Sequence, residues 1–225
     1  MEILGEKYTN FFTLFAVLLI ISAVILGLSL FVKSNTKAQK VNNEHQSYNG
    51  VIIACVFFLA TFCQGAVNSF LTSYTKELNF GNIGLFFTLM AIVTFISRFF
   101  SRIIQNIFGL KKLSFILSII MAVSIALIAF IQNEFQLFLL AIPLGLSTGL
   151  LFPIFNYRII QTVDPSQFAF ATSIYYCGLN IGYGLGAVVW GYVSQFFGYQ
   201  VLYVVAALLI VVMIVFDQIV YQKVN

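Results

Sequence analysis

Apolar residues in this chain do not alternate with polar ones; they run in long blocks. A helix needs about 20 mainly apolar residues to cross a hydrocarbon core of about 30 Å. Seven blocks meet that length: 10–32, 50–73, 82–108, 113–132, 136–160, 168–194 and 200–221. The pattern predicts an all-α integral membrane protein with seven transmembrane helices. One separation between blocks is long. Residues 33–49 carry Lys33, Lys37, Lys40, Glu44 and His45 among Asn, Ser and Gln, and read as a flexible linker. That linker sets residues 1–32, a short outer tail and the first span, apart from a six-helix bundle over 50–225. The first block is too long for the core of a signal peptide, and the residues before it, with Glu2, Glu6 and Lys7, are not basic.

Composition agrees with the pattern. The 225 residues are 61% hydrophobic and 8% charged, whereas a soluble domain is about 25% charged. So little charge cannot cover a water-facing surface. The net charge of +4 gains meaning only from its placement. Nine basic residues (Lys33, Lys37, Lys40, Arg98, Arg102, Lys111, Lys112, Arg158 and Lys223) fall on one side of the predicted membrane, and Lys7 and Lys76 fall on the other. The positive-inside rule makes the first side cytoplasmic. The N-terminus is then outside and the C-terminus inside, in a multi-pass protein of the cell membrane. No nucleic-acid partner is implied.

Chemistry of the enzymatic kind has no foothold. Cys55, Cys63 and Cys177 all lie in apolar blocks without metal-ligand spacing, and His45, the single histidine, lies in the linker. We expect no metal, no cofactor and no catalytic residues. The informative positions are the polar and glycine exceptions within the spans, because each costs free energy in a bilayer unless something offsets it.

On the second span Thr61, Gln64, Asn68 and Thr72 share one helical face. That face is expected to turn to protein or water, either for interhelical hydrogen bonds or to line a cavity. On the sixth span Gly178, Gly182 and Gly186 repeat every four residues, the spacing that lets two backbones approach. Tyr176, Asn180 and Tyr183 lie on the opposite side. The fifth span carries Gly145, Gly149 and Pro153, followed by Asn156 and Arg158. Pro153 removes a backbone donor and is expected to bend the helix. Arg158 at the boundary is expected to snorkel to the interface. Arg98 and Arg102 near the end of the third span are either positive-inside anchors or part of a gate. Asp217, the acid within a predicted span, lies near the cytoplasmic end of the last helix and is expected to reach the interface.

With these residues in hand, the chain resembles the major facilitator superfamily of secondary transporters. The resemblance covers essentially the whole chain and is best from Pro143 to Leu208, where the glycine-rich helix, the Asp164-Pro165 turn and the Phe197-Gly198-Tyr199 turn follow one another as in the family's tenth to twelfth helices. Arg98 to Lys112 resembles the loop between its eighth and ninth helices. There Ser101 replaces the usual glycine and Gln105-Asn106 the usual Asp-Arg pair, while Gly109, Lys111 and Lys112 remain.

The resemblance implies that residues 50–225 form the C-terminal half, built as two three-helix inverted repeats. The first span would be the family's sixth helix, and helices one to five would be absent. It also implies alternating access, with Gln64, Asn68, Asn156, Tyr176, Asn180 and Tyr183 as candidate cavity residues. Arg98, Arg102, Gly109, Gly145, Gly149, Pro153, Gly178, Gly182 and Gly186 are candidates for gating and helix packing. The subgroup it is most similar to is the bacterial efflux type, antiporters exchanging protons for small lipophilic molecules. A partner bundle or a homodimer would complete the cavity. Two other readings stay open here: a transport-inactive truncated fragment and a seven-helix sensor or receptor.

Overall fold

The computed structural model describes residues 44–224, with side chains from 49 to 222. The first expected span, 10–32, and most of the 33–49 linker lie outside the described residues. Among the described residues all regular structure is helical: α1 Glu44–Glu77, α2 Ile83–Phe108, α3 Leu110–Ile128, α4 Glu134–Gln161 and α5 Phe168–Val224, with a 3-10 turn Pro165–Gln167 before α5. Five helices are long and apolar enough to cross a membrane.

Two boundaries depart from expectation. Glu44 to Asn49 continue α1 rather than the linker. The expected loop after α2 shrinks to Gly109, since α2 runs to Phe108 and α3 starts at Leu110. Gly109 adopts φ 75°, a conformation that costs side-chain-bearing residues and is open to glycine. Its N–H still donates to the Gln105 carbonyl at 2.9 Å.

α5 is one assigned element of 57 residues, which as a straight helix would be about 85 Å long. That is nearly three membrane thicknesses. Gly198 breaks it with φ 82° and ψ 168°, so 168–197 and 199–224 are two helical runs, each of spanning length. The packing shows that they fold back. Tyr199 and Tyr203 meet Tyr74 near the end of α1, at ring distances of 5.6 and 5.5 Å. Asp217 meets Ser114 at the start of α3 and Arg158 at the end of α4.

Glycine decides which helices lie closest. A Cβ at Gly178 would sit 3.1 Å from the Ala54 carbonyl oxygen, and one at Gly186 would sit 2.7 Å from that of Phe62. A Cβ at Gly182 would overlap the Thr61 hydroxyl. Positions rise together on both helices, so 168–197 runs parallel to α1. The same register joins α4 to α2: a Cβ at Gly145 would lie 2.7 Å from the Met90 carbonyl oxygen and one at Gly149 2.9 Å from that of Thr94. Two parallel pairs, neither consecutive in sequence, thus form the frame. Phe57 fills the space between them, against Phe152, Phe155 and Tyr175 at 5.1, 5.3 and 4.7 Å.

Helix α4 starts with a side-chain cap. Asn133 Oδ1 accepts from the Gln136 N–H at 2.9 Å, and Gln136 Oε1 accepts from the Gln132 N–H at 2.8 Å. Glu134 accepts from the Gly81 N–H across the neighbouring turn.

Candidate functional site

Helix α2 differs from its neighbours. Only 11% of its most apolar stretch is buried inside the protein, against 67% for α1 and α4. Phe95 and Phe99 project outward at 65% and 72% exposure. On another side the helix borders a cleft of ≈ 280 Å³ lined by Phe87, Met90, Ala91, Thr94 and Arg98 of α2, Thr148 and Phe152 of α4, and Tyr183 of α5. The cleft floor is hydrogen bonded. Thr94 Oγ1 donates to the Gly145 carbonyl at 3.1 Å, Thr148 Oγ1 donates to that of Leu144 at 2.9 Å, and the two hydroxyl oxygens lie 3.3 Å apart.

Arg98 is not at a helix end. It lies fifteen residues after Ile83 and ten before Phe108 (98 − 83 and 108 − 98), hence about 15 Å short of the end of α2. Its neighbour Ser97 packs at the level of Gly149, itself fifteen residues after Glu134 in α4 (149 − 134). The sequence left open a boundary anchor or part of a gate; the structure places the arginine well inside the helix, lining the cleft. An arginine at the centre of a membrane span costs about 2.5–3.5 kcal/mol on insertion scales unless it meets water or a partner. Among the described residues no carboxylate pairs with it; the ion pair present is Arg158–Asp217.

That second arginine also departs from expectation. Arg158 is 6% exposed and Asp217 1%, so neither snorkels. Arg158 donates to Asp217 Oδ1 at 2.6 Å, and Ser114 Oγ donates to Asp217 Oδ2 at 2.9 Å. The guanidinium lies 3.9 Å over the Tyr221 ring and 5.3 Å from that of Phe155. The cluster ties α3, α4 and the second run of α5 together.

The other candidates fall into groups. Tyr183 lines the cleft, and the exposed Asn68 lies beside its hydroxyl. Tyr176 and Asn180 are exposed and continue the Tyr183 face toward the start of α5. Asn156 follows Phe152 by one turn of α4 and is half-buried, its Oδ1 without a partner. Gln64 stands apart. It is fully buried, with neither amide atom bonded, and does not open on the cleft. Arg102 is exposed one turn beyond Arg98, Pro153 is half-buried within α4, and the glycines of both stripes lie at the helix contacts given above.

Sequence reasoning missed Thr94, Thr148 and the aromatic walls Phe87 and Phe152. A signal existed: Thr94 and Arg98 are one turn apart well inside an apolar block, a costly placement. It also missed Trp190, whose indole N–H donates to the Phe62 carbonyl at 2.8 Å beside the glycine contact. Among the described residues no three His, Cys, Asp or Glu side chains are grouped to hold a metal ion.

The sequence that builds this arrangement matches, over residues 53–222, the family profile described as Major Facilitator Superfamily. The chain belongs to the Major Facilitator Superfamily. It is therefore a multi-pass membrane protein of a transporter family rather than of an enzyme family. As a facilitator chain it is 23% identical over 182 residues to the staphylopine export protein of Staphylococcus aureus, covering 79% of this chain and 45% of that protein. Its fold resembles the crystal structure of peptide transporter POT in complex with alafosfalin (TM-score 0.69, 18% identity, 83% of this chain and 40% of the other). It also resembles the POT family transporter PepTSo (TM-score 0.64, 17% identity, 81% and 38%). The chain thus spans under half the length of the relatives it matches.

Proposed function

We propose that residues 50–225 act as the C-terminal six-helix half of a secondary active transporter of small molecules, working by alternating access. The observation that carries the reading is the cleft itself. It combines a cation well inside a helix, hydroxyls and aromatic walls on one side of two glycine-packed helix pairs, and a second bundle against that side would enclose it. The two parallel pairs, α1 with 168–197 and α2 with α4, support a construction from two three-helix inverted repeats. The positive-inside distribution supports an outer N-terminus and a cytoplasmic C-terminus. The first span at 10–32 and the linker would then join this half to what precedes it. The similarity to an export protein supports efflux as the direction.

Proton coupling belongs to the proposal through the family resemblance. Among the described residues the carboxylate buried within the bundle is Asp217, held by Arg158 and Ser114, so a proton-carrying group would have to come from elsewhere. The glycine-packed contacts suit rigid-body rocking, because they fix each pair internally and leave the cleft side to move.

A second reading is favoured by two observations: the cleft is open on one side, and the chain covers 45% of its curated relative. On that reading this chain alone is transport-inactive and needs a companion bundle, from a longer chain or a second copy. Flux in proteoliposomes under an imposed proton gradient separates the two, using amine, neutral and carboxylate aromatic probes. Gradient-driven flux by this chain supports an active half. Flux only when five preceding helices are supplied supports the inactive fragment. No flux in either form overturns the transporter reading.

A further inference from the structure

The cleft offers few hydrogen-bond donors to an occupant. The hydroxyl protons of Thr94 and Thr148 are directed at the carbonyls of Gly145 and Leu144. Arg98 and the phenol of Tyr183 remain. The rest of the surface is apolar, with Phe87 and Phe152 as its largest walls. A guanidinium is a planar fork of N–H groups that matches a carboxylate through two parallel hydrogen bonds. Beside apolar walls such a charge attracts an anion more strongly than it would at a fully water-facing surface.

We propose that the cleft binds the carboxylate of a small amphipathic molecule, with Arg98 as the anion anchor and the aromatic walls receiving the apolar part. The proposal rests on the transport reading for its biological role, and it narrows the substrate from a lipophilic compound to a lipophilic acid. An uncharged substrate would bury the cleft and leave Arg98 unpaired. An acid satisfies it.

Binding to the whole chain in detergent micelles tests this by calorimetric titration with 4-phenylbutyrate and with 4-phenylbutyramide, which share one apolar body and differ in charge. The acid is expected to bind about tenfold or more tightly than the amide, the effect of one charge-assisted pair. Arg98→Gln is expected to abolish that ratio. Lys76→Gln, at the far end of α1, is expected to leave it unchanged. Should the glutamine variant fail to fold, Arg98→Lys keeps the charge, loses the planar fork and is expected to cut the ratio several-fold. The proposal is overturned if the wild-type chain binds acid and amide equally, if it binds neither, or if the ratio persists in Arg98→Gln or is unchanged in Arg98→Lys. Equal binding would assign Arg98 to pairing across an interface. Acid preference without flux in any form sinks the transport reading alone, and flux without acid preference sinks this proposal alone.

Discussion

Two arginines in this bundle meet opposite surroundings. Arg158 is buried, paired with Asp217 and stacked on Tyr221. Arg98 is exposed to a cleft and has no carboxylate partner among the described residues. The first spends its hydrogen bonds inside the protein and can only hold helices together. The second has donors to offer to something else. The difference teaches that a charge within a span is not informative by its presence. What matters is whether its donors are already used.

The comparison predicts that the two sites respond differently to mutation. The largest effect is expected at the sealed pair. Asp217→Leu alone leaves a buried uncompensated guanidinium and should cost about 3–5 kcal/mol of stability, while a double Arg158→Met, Asp217→Leu change recovers most of it. Unfolding in mixed micelles measures both. A double variant as unstable as the single one would mean that the pair is needed as a pair and not merely neutralised.

Next in size is the helix contact that frames the cleft. Gly182→Val would place a branched side chain where a Cβ already overlaps Thr61 and lies 3.0 Å from the Phe58 carbonyl oxygen. Overpacking of that kind costs about 1–3 kcal/mol. The same assay should show that loss, and chemical cross-linking between cysteines placed at the contact should weaken. Unchanged stability would mean that α1 and α5 separate without cost.

Ser114→Ala removes one donor from Asp217 and leaves the arginine in place. It is expected to destabilise by about 1–2 kcal/mol, less than loss of the charge itself. An effect as large as that of Asp217→Leu would place the weight of the cluster on the hydroxyl instead.

The smallest stability effect is expected at the open site. Arg98→Gln should change unfolding by no more than about 0.5 kcal/mol, as at exposed positions generally, yet remove acid binding. A large stability loss there would erase the contrast between the two arginines.

The candidate site was legible in part. Tyr183 and Asn68 were found from helical spacing, and both lie at or beside the cleft. Gln64 was selected by the same logic but is fully buried, because spacing says which residues share a face and not what that face meets. Arg98 and Arg158 were both read from their distance to a predicted boundary. For Arg158 the position near the helix end was right, since α4 runs to Gln161, but the partners that cover it, Asp217 and Tyr221, come from another helix. For Arg98 the α2 boundaries were as expected, and the cleft beside it is formed with α4 and α5. Asp217 followed the same course. It looked close enough to water, and is held by a partner 59 residues away in sequence.

The sequence by itself determined the solvent and the elements. Long apolar blocks can only be helices in lipid, since every backbone group must be bonded within its own segment. It marked the breaks between helices near Gly109 and at the Phe197-Gly198-Tyr199 turn, where the structure has both glycines at positive φ. It marked Gly178, Gly182 and Gly186 as a surface for close approach. The tertiary structure alone decided which helix approaches, which arginine is paired and which faces the cleft. Those outcomes depend on contacts between segments far apart in the chain, and periodicity within one helix carries no information about the helix across from it.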